Sequence, residues 1–114
     1  MAVDDKTREE IYRLHANLCK AIADPKRLLL INALRDDPRS VSDLSQFLGV
    51  SQSNVSQHLG VLRERGVVSA HRNGNNVFYE LENPKIVQAI DLLREVMAEV
   101  LQKRGEMSEA FANS

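Results

Sequence analysis

Residues 40–66 read SVSDLSQFLGVSQSNVSQHLGVLRERG, and their pattern is helix, tight turn, helix. Ser42 is placed to cap a short helix that carries Leu44, Phe47 and Leu48 inward. Gly49 ends that helix where a left-handed residue is needed, Val50 plugs the turn, and Ser51 caps a second helix. In the second helix Val55, Leu59 and Leu62 recur at i, i+4 and i+7, so one face belongs to the core. The opposite face holds Gln52, Ser53, Asn54, Ser56, Gln57 and His58, short side chains that donate and accept hydrogen bonds. An ordinary solvated helix fills such a face with Glu and Lys, which are stronger helix formers. Here no Asp, Glu, Lys or Arg occurs from Ser51 to Leu62, and charge returns at Arg63. Gln and Asn pair bidentately with adenine edges and Ser reaches phosphate or base. The stretch therefore reads as a helix-turn-helix with its recognition helix second.

Outward from it, the N-terminal side is helical. Asp4 or Asp5 caps a first helix running to about Ala23, with Ile11, Leu14, Leu18 and Ile22 as one apolar stripe. Asp24-Pro25 restarts the chain, Asp as cap and Pro at the first helical position, where its missing N–H costs nothing. From Lys26 to Arg35 the residues Leu28, Leu29, Leu30, Ile31, Ala33 and Leu34 predict a helix buried nearly all round. Asp36-Asp37-Pro38 is a turn signal.

After Gly66 the period changes. Val67–Arg72 and Asn76–Leu81 have strand character, and Asn73-Gly74 is a two-residue hairpin signal. A two-stranded hairpin is marginal alone, so it is expected to pack beside the helices as a wing, 67–81, after the helix-turn-helix, 42–65. Asn83-Pro84 repeats the cap-plus-proline start of a long helix from Lys85 to about Lys103. Ile86, Ile90, Leu93, Met97 and Val100 form a heptad-like seam, and Val87, Leu92, Val96 and Leu101 widen the apolar surface beyond one small domain's needs. That excess predicts a homodimer through the first and last helices, with Ile11, Leu14 and Leu18 on the first. Residues 1–4 and about 105–114 read as frayed ends.

With 114 residues, 43% hydrophobic and 27% charged, the chain fits one globular domain over 1–114. The net charge of −1 is unevenly spread. Residues 1–25 carry −1 and residues 77–114 carry −3, whereas residues 26–76 hold seven Lys or Arg against four Asp or Glu, a net +3. The positive segment contains the helix-turn-helix, which suits a nucleic-acid face on an acidic body. No apolar run approaches the roughly 20 residues that cross a bilayer, and MAVDDKTREE has no signal-peptide pattern. A cytoplasmic address, with no membrane partner, is expected. No phosphate loop is present, and three His with one Cys suggest no nucleophile and base, so an enzyme is not expected.

Five helices and two strands in the order helix, helix, helix, helix, strand, strand, helix make a mainly α winged helix-turn-helix. The chain resembles the ArsR-type (ArsR/SmtB) bacterial winged-helix repressors in LCKAIADPKRLLLINAL (18–34), SVSDLSQFLGVSQSNVSQHLGVLRERGVV (40–68) and HRNGNNVFYEL (71–81). The resemblance implies a homodimer on the double-stranded DNA of an operator, an imperfect palindrome near its own promoter. The second helix of the motif would enter the major groove, and an inducer would lift repression. On this basis Ser53, Asn54, Ser56, Gln57 and His58 are expected at base edges and Ser51 and Gln52 at phosphate. Arg63 is expected at phosphate or in solvent with Arg65, and Arg72, Asn73, Asn75 and Asn76 at the wing's contact with minor groove or backbone. A DNA-binding anti-silencer of the same fold, or a protein-interaction module, are the rival readings.

The standard metal sites of that family are absent. Ser40-Val41-Ser42-Asp43 stands where the thiol-bearing members have Cys-x-Cys, and residues 83–114 hold no His beside Asp91 and Glu95. No metal or cofactor is expected. His15 and Cys19 lie i, i+4 on the first helix. Cys19, the single cysteine, is expected as a core thiol, with a redox sensor or a metal ligand beside His15 as the alternatives. His71 reads as a solvated strand residue.

Overall fold

A computed structural model describes residues 2–105, which form α1 (Asp5–Ile22), α2 (Pro25–Ala33), β1 (Arg39–Ser40), α3 (Val41–Leu48), α4 (Gln52–Glu64), β2 (Val68–Asn73), β3 (Asn76–Leu81) and α5 (Lys85–Lys103). The tail expected to fray lies outside the described residues from 106 on. By its contacts the chain divides into two compact units, residues 1–83 and the remainder from Pro84.

In the first unit each helix begins where a side chain can accept its first N–H groups. Asp4 accepts from Thr7 N at 2.7 Å and starts α1. Asp24 Oδ1 accepts from the N–H groups of Lys26 and Arg27, and Pro25 takes the first helical position of α2. α3 starts earlier than expected. Ser40, not Ser42, is its cap, with Oγ accepting from Asp43 N at 3.1 Å. The cause is β1, which pairs Arg39 with Tyr79 and Ser40 with Phe78, holding Ser40 extended one residue before Val41. The sheet therefore has three strands, in the order β1-β3-β2, where the sequence shows a hairpin of two.

α4 is the centre of this unit and packs against α1, α2, α3 and β2. Val55, Leu59 and Leu62 are completely buried, joined by Leu30, Ile31, Leu34, Leu44, Ala21, Val67 and Val68. Burying each Leu, Ile or Val of this set stabilises the fold by about 1.5–3 kcal/mol. Three expectations fail at the edges of this core. Phe47 is 65% exposed, because α3 rolls to place Val41 and Leu48 beside the buried Leu44 and leaves Phe47 outside. α2 is not buried all round: Leu30 and Ile31 face inward while Leu28 and Leu29 are exposed, as a nine-residue helix packed on one side allows. Cys19 is exposed rather than a core thiol, since α1 turns Ala21 inward with Leu18 and Ile22 half-buried at its edge. Further up the stripe, Ile11 and Leu14 are more than half exposed.

The hairpin pairs Val68 with Leu81 at its base and Asn73 with Asn76 at its tip. The two loop residues are thus Gly74-Asn75, one position later than expected, with Gly74 at φ +67°, a conformation L side chains rarely adopt.

The second unit is α5. Pro84 sits at its cap position already in helical conformation. Val87 is buried and Ile86, Ile90 and Leu101 are half-buried, whereas Leu92, Leu93, Val96, Met97 and Val100 are exposed.

Candidate nucleic-acid interface

The turn between α3 and α4 is built from local bonds. Gly49 adopts φ +69° and sends its N–H to Ser45 O at 2.9 Å; Val50 N–H reaches the same carbonyl at 3.2 Å. Ser45 Oγ donates to Val50 O, closing the loop from the side-chain direction. Ser51 is extended, and its Oγ accepts from Asn54 N at 3.0 Å. The remaining N-terminal N–H groups of α4 have no partner within the helix and point outward with the positive end of its dipole, which suits a phosphate.

Along α4 the polar residues divide. Ser51, Gln52, Ser53, Ser56 and Gln57 are exposed. Ser53 and Gln57, one turn apart, lie opposite the Val55, Leu59 and Leu62 face. Gln52, Ser56 and the exposed Arg63 share a flank that runs the length of the helix. Asn54 and His58, also one turn apart, lie on the other flank and are half-buried, contrary to their placement on the open face. Asn54 Oδ1 is buried without a hydrogen-bond partner. His58 Nδ1 lies 3.3 Å from Arg27 Nη1 and 3.9 Å from Asp24 Oδ1. Period alone places these two beside the core face, yet neither Asp24 nor Arg27 carries any sequence signal of its pairing with α4.

At the wing, Arg72, Asn73, Asn75 and Asn76 are all exposed around the tip. Alternation puts Arg72 on the strand face of Val68 and Ala70, and Asn73 on that of His71. His71 is exposed, stacks on Phe78 with ring centroids 6.2 Å apart, and stands 3.7 Å from Glu80. Arg65 is exposed at the end of α4.

Asp24 titrates below the usual carboxylate value. The Arg27 backbone N–H is the main cause, opposed by partial burial and aided by Lys26 N–H and the charges of Arg27 and His58. His15 and Cys19 are both exposed on α1. Among the described residues no three His, Cys, Asp or Glu side chains gather as a metal-holding group, and no helix is long and apolar enough to cross a membrane.

Residues 24–70, from the Asp24 cap to the first strand of the wing, match the family described as bacterial regulatory protein, arsR family. An uncharacterised helix-turn-helix-type transcriptional regulator of Mycobacterium tuberculosis, Rv0081, is 41% identical over 97 residues, 84% of this chain and 85% of the relative. The chain belongs to the ArsR family of bacterial regulatory proteins. It is a DNA-binding transcriptional regulator with a winged helix-turn-helix fold. The crystal structure of Rv0081 superposes with a TM-score of 0.76 at 40% identity, covering 82% of this chain and 95% of that one. A biofilm growth-associated repressor of Xylella fastidiosa is 39% identical over 94 residues, 80% of this chain and 82% of the relative. The transcriptional activator HlyU of Vibrio cholerae is 38% identical over 85 residues, 75% and 79% of the two chains.

Proposed function

We propose that this ArsR-family chain is a homodimeric repressor that binds an imperfectly palindromic operator through α4 in the major groove, with the wing on the adjacent minor groove or backbone. The observation that carries the reading is the two-sidedness of α4: Val55, Leu59 and Leu62 wholly buried, with uncharged Ser53, Ser56 and Gln57 exposed. A helix anchored that firmly has little backbone freedom to lose on binding. Base edges reward such donors and acceptors, whereas phosphates alone would be served better by Lys and Arg. Ser51 and Gln52 hold phosphate at the helix N-terminus; Arg63, Arg72, Asn73, Asn75 and Asn76 add backbone contacts on either side.

Dimerisation is supported by the apolar surface that each helix leaves outside: Ile11, Tyr12 and Leu14 on α1, and Leu92, Leu93, Val96, Met97 and Val100 on α5. Exposed residues of this kind in helical rows mark an interface. The reading assigns no metal or cofactor, because the thiols and imidazoles of the family's metal sites are missing from Ser40–Asp43 and from residues 83–114. It places the protein in the cytoplasm, on the nucleoid when DNA-bound, and gives it no catalytic role.

The test is fluorescence anisotropy of reduced, metal-free protein on a duplex from its own upstream region. Tight, salt-dependent binding with two chains per duplex is expected. Weak binding indifferent to sequence overturns the reading. The activator named among the relatives favours a second output from the same interface, relief of silencing by another protein. A promoter reporter with and without the gene separates them: loss of the regulator raises expression for a repressor and lowers it for an anti-silencer.

A further inference from the structure

We infer that His58 is a positioning residue of the recognition helix, clamping α4 to the junction of α1 and α2 through Arg27, and is not a reader of bases. The inference rests on α4 being the DNA-reading helix and names what sets its position.

Arg27 stands at the centre of the arrangement. Its Nε donates to Ala21 O, its Nη2 donates to Lys20 O at 3.3 Å, and its Nη1 meets His58 Nδ1 at 3.3 Å. One planar fork therefore gathers the last carbonyls of α1 and a side chain of α4, from a residue in the first turn of α2. A guanidinium only donates, so in the neutral imidazole His58 Nδ1 accepts and the ring proton sits on Nε2. Asp24 keeps the fork in place: its Oδ1 accepts from the backbone N–H of Arg27 at 3.1 Å and lies 3.9 Å from His58 Nδ1. The side chains of His58 and Asp24 are 19% and 31% exposed.

The geometry is wrong for a base contact. His58 lies on the flank of α4 that turns toward Asp24 and Arg27, about 100° around the helix from Gln57, and one of its two ring nitrogens, Nδ1, is already engaged within the protein. The hydrophobic contacts of Val55, Leu59 and Leu62 resist withdrawal of the helix but are non-directional. A directional bond on the flank fixes its rotation, which aims Ser53 and Gln57. Because the same fork binds the end of α1, whose outer side carries Ile11 and Leu14, displacement of α1 would act on the aim of α4.

The test compares His58→Asn with His58→Gln. Asn Oδ1 falls where His Nδ1 stands and can accept from Arg27; the Gln amide reaches instead toward the position of Nε2. His58→Asn is expected to keep operator affinity within about twofold, and His58→Gln to lose about tenfold with unchanged base preference, the worth of one bond to a charged group. Affinity kept by Gln and lost by Asn makes Nε2 the working atom and overturns the inference. So does any other pattern, equal retention or equal loss included. The DNA-free protein gives a second readout, so that failure of the clamp and failure of the DNA reading are distinguishable. The His58 Nδ1 resonance is expected to show an unprotonated nitrogen in the wild type, and a mixture of tautomers in Arg27→Gln. A resonance indifferent to Arg27→Gln overturns the clamp whatever the protein binds, and wild type without operator affinity overturns the reading while leaving the resonance test standing.

Discussion

Gln57 lies one helical turn beyond Ser53 on α4, and both side chains are exposed on the side opposite the buried Val55, Leu59 and Leu62. A pair at that spacing on an anchored helix spans adjacent base pairs when the helix lies in a major groove. Replacing Gln57 by Ala removes a bidentate group without touching the core. Discrimination between the operator and a single-base variant is expected to fall by about 1–3 kcal/mol. Anisotropy titrations on a panel of single-base duplexes measure it. Wild-type ratios across the whole panel would place the reading of sequence elsewhere.

Arg72 occupies the exposed end of β2, paired across the ladder with Val77. A phosphate contact there contributes charge and no sequence information, so Arg72→Gln should weaken operator and scrambled DNA alike. The slope of log affinity against log salt is expected to shrink by about one per chain. An unchanged slope would take the wing's arginine off the DNA backbone.

The Asp24 carboxylate links stability to pH. Its pKa is lowered from the ordinary 3.8, chiefly by the Arg27 backbone N–H, so the folded state binds this proton more weakly than the unfolded chain does. Its contribution is complete above the ordinary value and is lost as pH falls through the depressed one. Asp4, lowered by the Thr7 hydroxyl and N–H, has the same sign. Asp24→Asn keeps a capping oxygen and removes the titration. The melting-temperature gap between wild type and Asp24→Asn should therefore be constant near neutrality and close in acid. A gap that widens in acid would reverse the sign.

What could be read from the chain alone was what is local. The Ser51 cap, the left-handed Gly49 and the Val55–Leu59–Leu62 face each depend on residues within one or two turns, and all three stand in the structure. α5 has the expected limits, Lys85 and Lys103, for the same reason. The misses are long-range. β1 is two residues whose only strand signal is their pairing with Tyr79 and Phe78, and that pairing moved the α3 cap to Ser40. Phe47 is apolar at helical spacing, and only the packing of Leu44 decides which side of α3 it takes. At the site, the exposed Ser and Gln of α4 were legible from charge depletion. The pairing of His58 with Arg27 was not, because the two lie 31 residues apart.

Leu93 is 61% exposed on α5, in the row of Ile86, Ile90, Met97 and Val100, while Gln88 lies with Glu95 and Glu99 on the polar side. Leu14, 58% exposed, has the corresponding place on α1. If these rows are the dimer surface, each Leu gains about 1.5–3 kcal/mol when a second chain covers it, and a carboxylate there opposes the same burial. Leu93→Glu and Leu14→Glu are each expected to shift the protein to monomer at micromolar concentration, with Gln88→Glu as the control that stays dimeric. Sedimentation velocity reads the result directly. Operator affinity should fall with the dimer fraction, because two half-sites held by one particle bind far more tightly than either alone. Retention of the dimer by both Leu variants would move the interface off these rows. A monomeric Leu93→Glu that still held the full operator at wild-type affinity would instead remove the need for two chains.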